Sequence, residues 1–281
     1  MKQIPILEIV KQSLTLPFSQ PVEMFKALGV IVLSLLIAIG VMMLAGMVGV
    51  VDVEALRNVE QAIENGQVGG LIGLLPVMLI AMLIVVTAFA YIFNFWVRAG
   101  AFGPENAKTR PLGKAFSAAS VNMLKFIFIG IILVIAAVVV MGVLSMLGLS
   151  GGFGDQMQAA ANQDIAAATR AGLMNQIVMT IISCIVYSLF SANLTQTAVG
   201  SDREGLKHPH NVDFAIVLFL LYAVLLVPTV LAGLIGSMAL MQTLNIVLGL
   251  YITFSIGIAH GIRYRICVAE NEQKSEEQAT E

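Results

Sequence analysis

Phe214-AIVLFLLYAVLLVPTVLAGLIGSMALMQTLNIVLGLYITFSIGIAHG-Ile262 runs for 49 residues without one Asp, Glu, Lys or Arg. As a single helix it would be about 73 Å long at about 1.5 Å per residue, against a bilayer hydrocarbon layer of about 30 Å. It therefore folds back on itself. The break falls at Gly233-Leu-Ile-Gly236-Ser237, where two glycines weaken a helix and permit a tight turn.

Four further charge-free stretches, Ala27–Val51, Val68–Val97, Phe126–Gly154 and Ala171–Ser201, each fit one crossing of about 20 apolar residues. The count is six transmembrane helices. Composition agrees: 58% of the 281 residues are hydrophobic and 11% charged, whereas a soluble domain carries about 25% charged residues. The mean hydropathy is +0.92. Too few residues lie outside the spans for a large soluble core, and a net charge of −2 gives no footprint for nucleic acid. The apolar region starts near Ala27 and is far longer than a signal-peptide core, so no cleavable leader is expected.

The sequence thus reads as an all-α polytopic membrane bundle of six transmembrane helices in three hairpins. Residues 1–20 form an interfacial N-terminal segment, 21–268 the transmembrane domain, and 269–281 an acidic cytoplasmic tail expected to be disordered. In the first segment Pro5 opens a short helix with Leu7, Val10 and Leu14 on one side and Glu8, Lys11 and Gln12 on the other. Pro17 and Pro21 mark its elbow into the first span.

Basic residues orient the bundle, because Lys and Arg accumulate in cytoplasmic loops. Thirteen of the fifteen cations fall in the termini, the second loop and the fourth loop; only Arg57 and Arg170 lie in the first, third and fifth. Both termini are therefore expected in the cytoplasm, with the chain in the cell inner membrane. In the longer outer loops, Asp52 begins a helical pattern through Val53, Leu56, Val59 and Ile63 to Asn65-Gly66. Asp155 begins an Ala-rich one running to Gly172 or straight into the fourth span. These read equally as interfacial helices or as solvated connectors.

The three hairpins share punctuation. Pro21, Pro111 and Pro209 precede the odd spans, and Tyr91, Tyr187 and Tyr251 stand in the inner halves of the even ones. Gly249, Thr253, Gly257 and Gly261 recur every four residues on the sixth helix, a small-residue face suited to close helix packing. Ala45/Gly49 and Gly69/Gly73 repeat the spacing. Pro76 and Pro228 lie inside the second and fifth spans.

Reactive chemistry is sparse. Gly148-Leu-Ser150-Gly151-Gly152 matches the letters of a nucleophile elbow and of the G-x-S-G of rhomboid proteases. Ser150, however, lies at the outer end of the third span and His260 at the inner end of the sixth, roughly 30 Å apart in depth. A serine and its base need hydrogen-bond reach, so no catalytic residue is assigned. His208 and His210 alone do not make a metal site, Cys184 and Cys267 differ too much in depth to pair, and no cofactor is expected. No Asp, Glu or His stands at mid-depth, where proton-coupled carriers keep them. The polar groups of the spans are amides: Asn175 and Gln176 outside, Asn193 and Gln196 inside, Gln242 and Asn245 in the outer half of the sixth. Asn94, Arg98, Asn193, Gln196, His260 and Arg263 form a candidate polar cytoplasmic cluster.

Paired spans, proline-led odd helices, basic cytoplasmic loops and the interfacial segment, over Pro21 to Arg265, resemble a broad bacterial group. Its members are six-helix inner-membrane proteins similar to the membrane domain of some glycerophosphodiester phosphodiesterases. The resemblance is one of architecture, and none of the 281 residues reads as that catalytic domain. Two functions follow as expectations: a non-enzymatic bundle organising membrane partners or lipids, or a channel or transporter for a small neutral solute or lipid. The partners expected are the bilayer itself and either a second protein or further copies of the chain.

Overall fold

The computed structural model describes residues 4–49, 68–146, 162, 164–200, 208 and 210–280. The Asp52 and Asp155 helix starts, the Gly148–Gly152 motif and Pro209 lie outside the described residues. Among those described, every regular element is a helix: α1 Ile6–Ser19, α2 Pro21–Met47, α3 Val68–Phe102, α4 Pro104–Ala107, α5 Leu112–Met146, α6 Ile165–Val199, α7 Asn211–Leu234 and α8 Met238–Thr280. Six of them (α2, α3, α5, α6, α7 and α8) are long and apolar enough to cross a membrane.

Their boundaries follow local chemistry. Pro21 supplies the first helical residue of α2, where its missing N–H costs nothing. Asp164 caps α6, its carboxylate accepting from the Ala167 amide at 2.9 Å. That start leads without interruption into the fourth span. Gly200 ends α6 in the left-handed conformation, φ 71°, its N–H bonded to the Gln196 carbonyl. Between α7 and α8 the chain reverses at Gly236, φ 81°. There the Gly236 and Ser237 amides return to the carbonyls of Gly233 and Ala232, and the Ser237 hydroxyl accepts from Leu240. The acidic segment 269–281 continues α8 as far as Thr280. Its Ala, Glu, Gln and Lys are strong helix formers added to a helix already nucleated within the bundle.

α8 is the element around which the bundle closes, touching α1, α3, α6 and α7. Its tightest neighbour is α3. A Cβ on Gly257 would stand 2.9 Å from the Trp96 Cβ and 3.2 Å from the Phe93 carbonyl oxygen. On Gly261 it would collide with the Val97 carbonyl and lie 2.7 Å from the Ala101 amide. Gly100 answers from the α3 side, against the Ile258 backbone. Gly249 has open space around it, so on this face the close approach is confined to Gly257 and Gly261, further along α8. Thr253 bonds its own helix at the Gly249 carbonyl. Trp96 and Phe254 stack at 5.3 Å within the same contact.

α1 packs along α7 and α8, with Ile9 and Ser13 buried and the Tyr251 hydroxyl donating to the Leu14 carbonyl. The exterior is apolar: Leu33, Leu36, Val134, Val138, Val139, Ile246 and Val247 all face outward. A contiguous surface of this kind needs lipid around it. This is an integral, multi-pass membrane protein.

Candidate functional site

At the end of the bundle that holds Arg98 and Arg263, polar side chains form two buried knots, a buried serine–histidine pair and one cleft. In the first knot Asn122 on α5 is wholly buried; its amide nitrogen donates to Asn94 Oδ1 on α3 at 2.6 Å and to the Leu194 carbonyl on α6 at 3.0 Å. A carbonyl only accepts, so Leu194 dictates that Asn122 presents its NH2 group. Asn94 must then present its oxygen to Asn122. The Asn94 NH2 group is left over, buried and without a partner. Such a donor costs about 1–3 kcal/mol if nothing meets it.

The second knot is built on Arg263, which has no exposed surface. Nη1 donates to the Ser188 carbonyl at 3.0 Å; Nη2 donates to the His208 carbonyl at 2.9 Å and to Asn211 Oδ1 at 2.6 Å. The guanidinium also lies 4.6 Å from the centre of the Phe214 ring. One side chain on α8 thereby ties α6, the start of α7 and the segment before it. Burial, reinforced by the Arg263 cation, holds the His208 imidazole down at about 4, so it is neutral at pH 7. His210 faces Asp213 at 3.4 Å and Glu270 at 3.8 Å. Among the described residues no group of three or more His, Cys, Asp or Glu is placed to hold a metal ion.

His260 meets a serine, though one on α6: its Nδ1 is 2.7 Å from Ser191 Oγ. Ser150 lies outside the described residues. The Ser191–His260 spacing suits a nucleophile and base, but the packing does not. Both residues have no exposed surface, and Phe93 and Phe214 enclose the imidazole edge-on, 5.3 and 4.9 Å away. Neither residue lines the cavities described here. The pair joins α6 to α8.

The six residues of the candidate polar cluster are thus divided. Asn94 belongs to the first knot, Arg263 to the second, and His260 to the Ser191 pair. Asn193 is exposed, and its carbonyl takes the Lys125 ammonium at 3.0 Å; Gln196 contributes its carbonyl to the end of α6. Arg98 lines the cleft. Asn122, Ser188, Ser191 and Asn211 are the members that sequence reasoning passed over. Asn122 precedes the cation Lys125 by less than one turn, and nothing in the charge pattern marks it as part of the bundle interior. The serines and Asn211 had only their nearness to a span end to mark them.

The cleft, about 360 Å³, lies between α2, α3, the α4 turn and the start of α5. Its rim carries Glu23, Lys26, Lys108 and Arg110; Arg98 and Asn94 line it further in, and Ala27, Val30, Ile92 and Phe95 supply apolar wall. Lys26 and Lys108 stand 3.0 and 3.8 Å from the Glu23 carboxylate, and Lys108 is 2.9 Å from Glu105. Its hydrogen bond to Glu105 raises the Lys108 pKa, whereas burial lowers that of Arg110. Arg98 donates to the carbonyls of Val199 and Asn106 at 3.0 and 3.2 Å, and Arg110 donates to the Ala198 carbonyl. Both guanidiniums thus lie against the negative C-terminal end of α6.

Among the described residues, further cavities occur along the bundle. One of about 280 Å³ is lined by Phe89, Phe93, Phe126, Tyr187, Tyr222 and Thr253. One of about 490 Å³, toward the opposite end, is lined by Thr169, Asn175, Gln176, Thr229 and Asn245. No family model, no curated protein and no solved structure matches this chain. Its functional reading rests on these sites.

Proposed function

We propose that this protein is a non-enzymatic bundle of the inner membrane that organises lipids, with both termini in the cytoplasm. The cleft carries the reading: a cationic rim above an apolar wall, at the bundle end that holds most of the Lys and Arg residues. Anionic headgroups are concentrated at the cytoplasmic surface, and basic pockets between helices are suited to hold them. The enclosure of Ser191 and His260 supports a structural rather than a hydrolytic role for that pair. Thirteen cations against two support the orientation; a C-terminal reporter active only outside the cytoplasm would reverse it.

The test is purification from native membranes in mild detergent, followed by native mass spectrometry. Retained lipid at a fixed stoichiometry is the expected result. A stoichiometric protein partner in place of lipid makes the chain an assembly subunit and overturns the lipid reading. A second reading, transport of a small neutral solute or lipid, draws on the aromatic cavity lined by Tyr187 and Tyr222 and the amide-lined one beyond it. It predicts protein-dependent solute flux or lipid movement between leaflets in reconstituted vesicles.

A further inference from the structure

We propose that the cleft between α2, α3 and α4 is a binding site for a phosphate group, with Arg98, Arg110, Lys26, Lys108 and the amide NH2 of Asn94 as its donors. The inference rests on the lipid-organising reading and deepens it by naming the ligand chemistry.

Charge is the first argument. Four cations line the cleft against one carboxylate, that of Glu23. Glu23 lies between the two lysines, and Lys108 is further matched by Glu105. The two guanidiniums have no such partner: among the described residues their acceptors are the neutral carbonyls of Asn106, Ala198 and Val199. Those carbonyls hold the side chains in place, and the α6 end to which those of Ala198 and Val199 belong, worth about half a negative charge, offsets only part of two full positive charges. The Arg98 Nε is buried and unpartnered as well.

Asn94 is the second argument, and it is independent of charge. The side chain is only 4% exposed and lines the cleft. The Leu194 carbonyl orients Asn122, Asn122 orients Asn94, and the unused NH2 group remains buried and unpartnered on a side chain that lines the cleft.

Together the site offers donors from several directions and apolar wall below them. Phosphate oxygens accept from several directions at once, and the planar fork of arginine matches them in pairs. From Arg98 to Tyr91, which also lines the cleft, is two turns of α3, about 10 Å along the axis. That depth accommodates a headgroup phosphate with the start of its glyceride portion against Val30 and Ile92.

The experiment uses the full chain in neutral detergent. It is titrated in separate arms with phosphatidylglycerol, phosphatidylcholine and inorganic phosphate, and bound ligand is read by native mass spectrometry. Wild type is expected to prefer phosphatidylglycerol, whose phosphate charge is uncompensated, to phosphatidylcholine, whose choline cation offsets the same phosphate, by about tenfold, with Arg98→Gln and Arg110→Gln each removing most of that preference. Asn94→Asp keeps the acceptor for Asn122 and turns the other arm from donor to anion, so it is expected to abolish the preference. Lys26→Gln, at a largely exposed side chain, tests the same site if a deeper variant does not fold. Saturable binding of inorganic phosphate, lost in the same variants, supports the phosphate site and makes its source soluble. Stoichiometric lipid with no anionic preference, or a preference unchanged in all four variants, overturns the inference while the lipid-organising reading stands. No retained lipid and no bound phosphate overturns both.

Discussion

Replacing Gly261 by alanine adds one methyl group where α8 crosses α3, and the structure fixes what that methyl would meet. The added carbon would collide with the Val97 carbonyl, stand 2.7 Å from the Ala101 amide nitrogen and 3.0 Å from the Gly100 carbonyl carbon. Ordinary contact begins at 3.4 Å, and all three atoms belong to helix backbone, which cannot rotate aside as a side chain can. The helices must part by about 1 Å, loosening the Trp96–Phe254 stack beside them. Overpacking of this kind costs about 1–3 kcal/mol, and a backbone-to-backbone clash belongs at the upper end. At roughly 2–4 °C per kcal/mol, the melting temperature should fall by roughly 6–12 °C. Cys184 and Cys267 are free and buried, so a thiol-reactive dye in mild detergent reports unfolding directly. Gly249→Ala is the internal control: nothing lies within 4 Å of its Cβ position. It should melt as wild type does. Equal melting temperatures for Gly261→Ala and wild type would refute the assignment of this crossing as the centre of the bundle.

Three further outcomes follow from the knots. Arg263→Met removes the charged donor shared by Asn211 Oδ1 and the Ser188 and His208 carbonyls, and at about 1.5–3 kcal/mol for each charged hydrogen bond it should cost about 4 kcal/mol or more; Arg263→Lys keeps the charge but not the fork and should fall between, as measured by the same dye. Asn122→Leu leaves the Asn94 oxygen without a donor and removes the side-chain donor to the Leu194 carbonyl, which keeps its bond within α6, and should cost about 1–3 kcal/mol; adding Asn94→Leu should recover part of that loss, and strict additivity in the double variant would show that the pair is not coupled. His208 has a pKa depressed to about 4 in the folded protein against an ordinary 6.5. The unfolded chain therefore takes up the proton first, and the stability contributed by neutral His208 is full above pH 6.5 and lost as pH falls toward 4. Between pH 7 and pH 4 the melting temperature of wild type should fall more steeply than that of His208→Gln.

The sequence by itself determined the membrane class, the six crossings and their ends. Those properties are local: charge-free length decides what enters a bilayer, and prolines and glycines decide where helices start and reverse. The hairpin break around Gly236 was legible for that reason, and so was the small-residue face of α8. Only the tertiary structure decided which part of that face is used. Gly257 and Gly261 meet α3 whereas Gly249 meets nothing, because contact depends on where two helices cross and not on spacing within one. Likewise a list of polar residues near one end of the spans does not reveal that Asn94 pairs with Asn122, His260 with Ser191, and Arg263 with the Ser188 and His208 carbonyls. Three of those partners are set by neighbours 55 to 75 positions away in the chain, and the Asn94–Asn122 bond spans 28. The cleft is the clearest case. Lys26, Arg98, Lys108 and Arg110 looked like loop charges that orient the protein; folding α2 and α4 against α3 gathers them over the one amide donor that the first knot leaves unused.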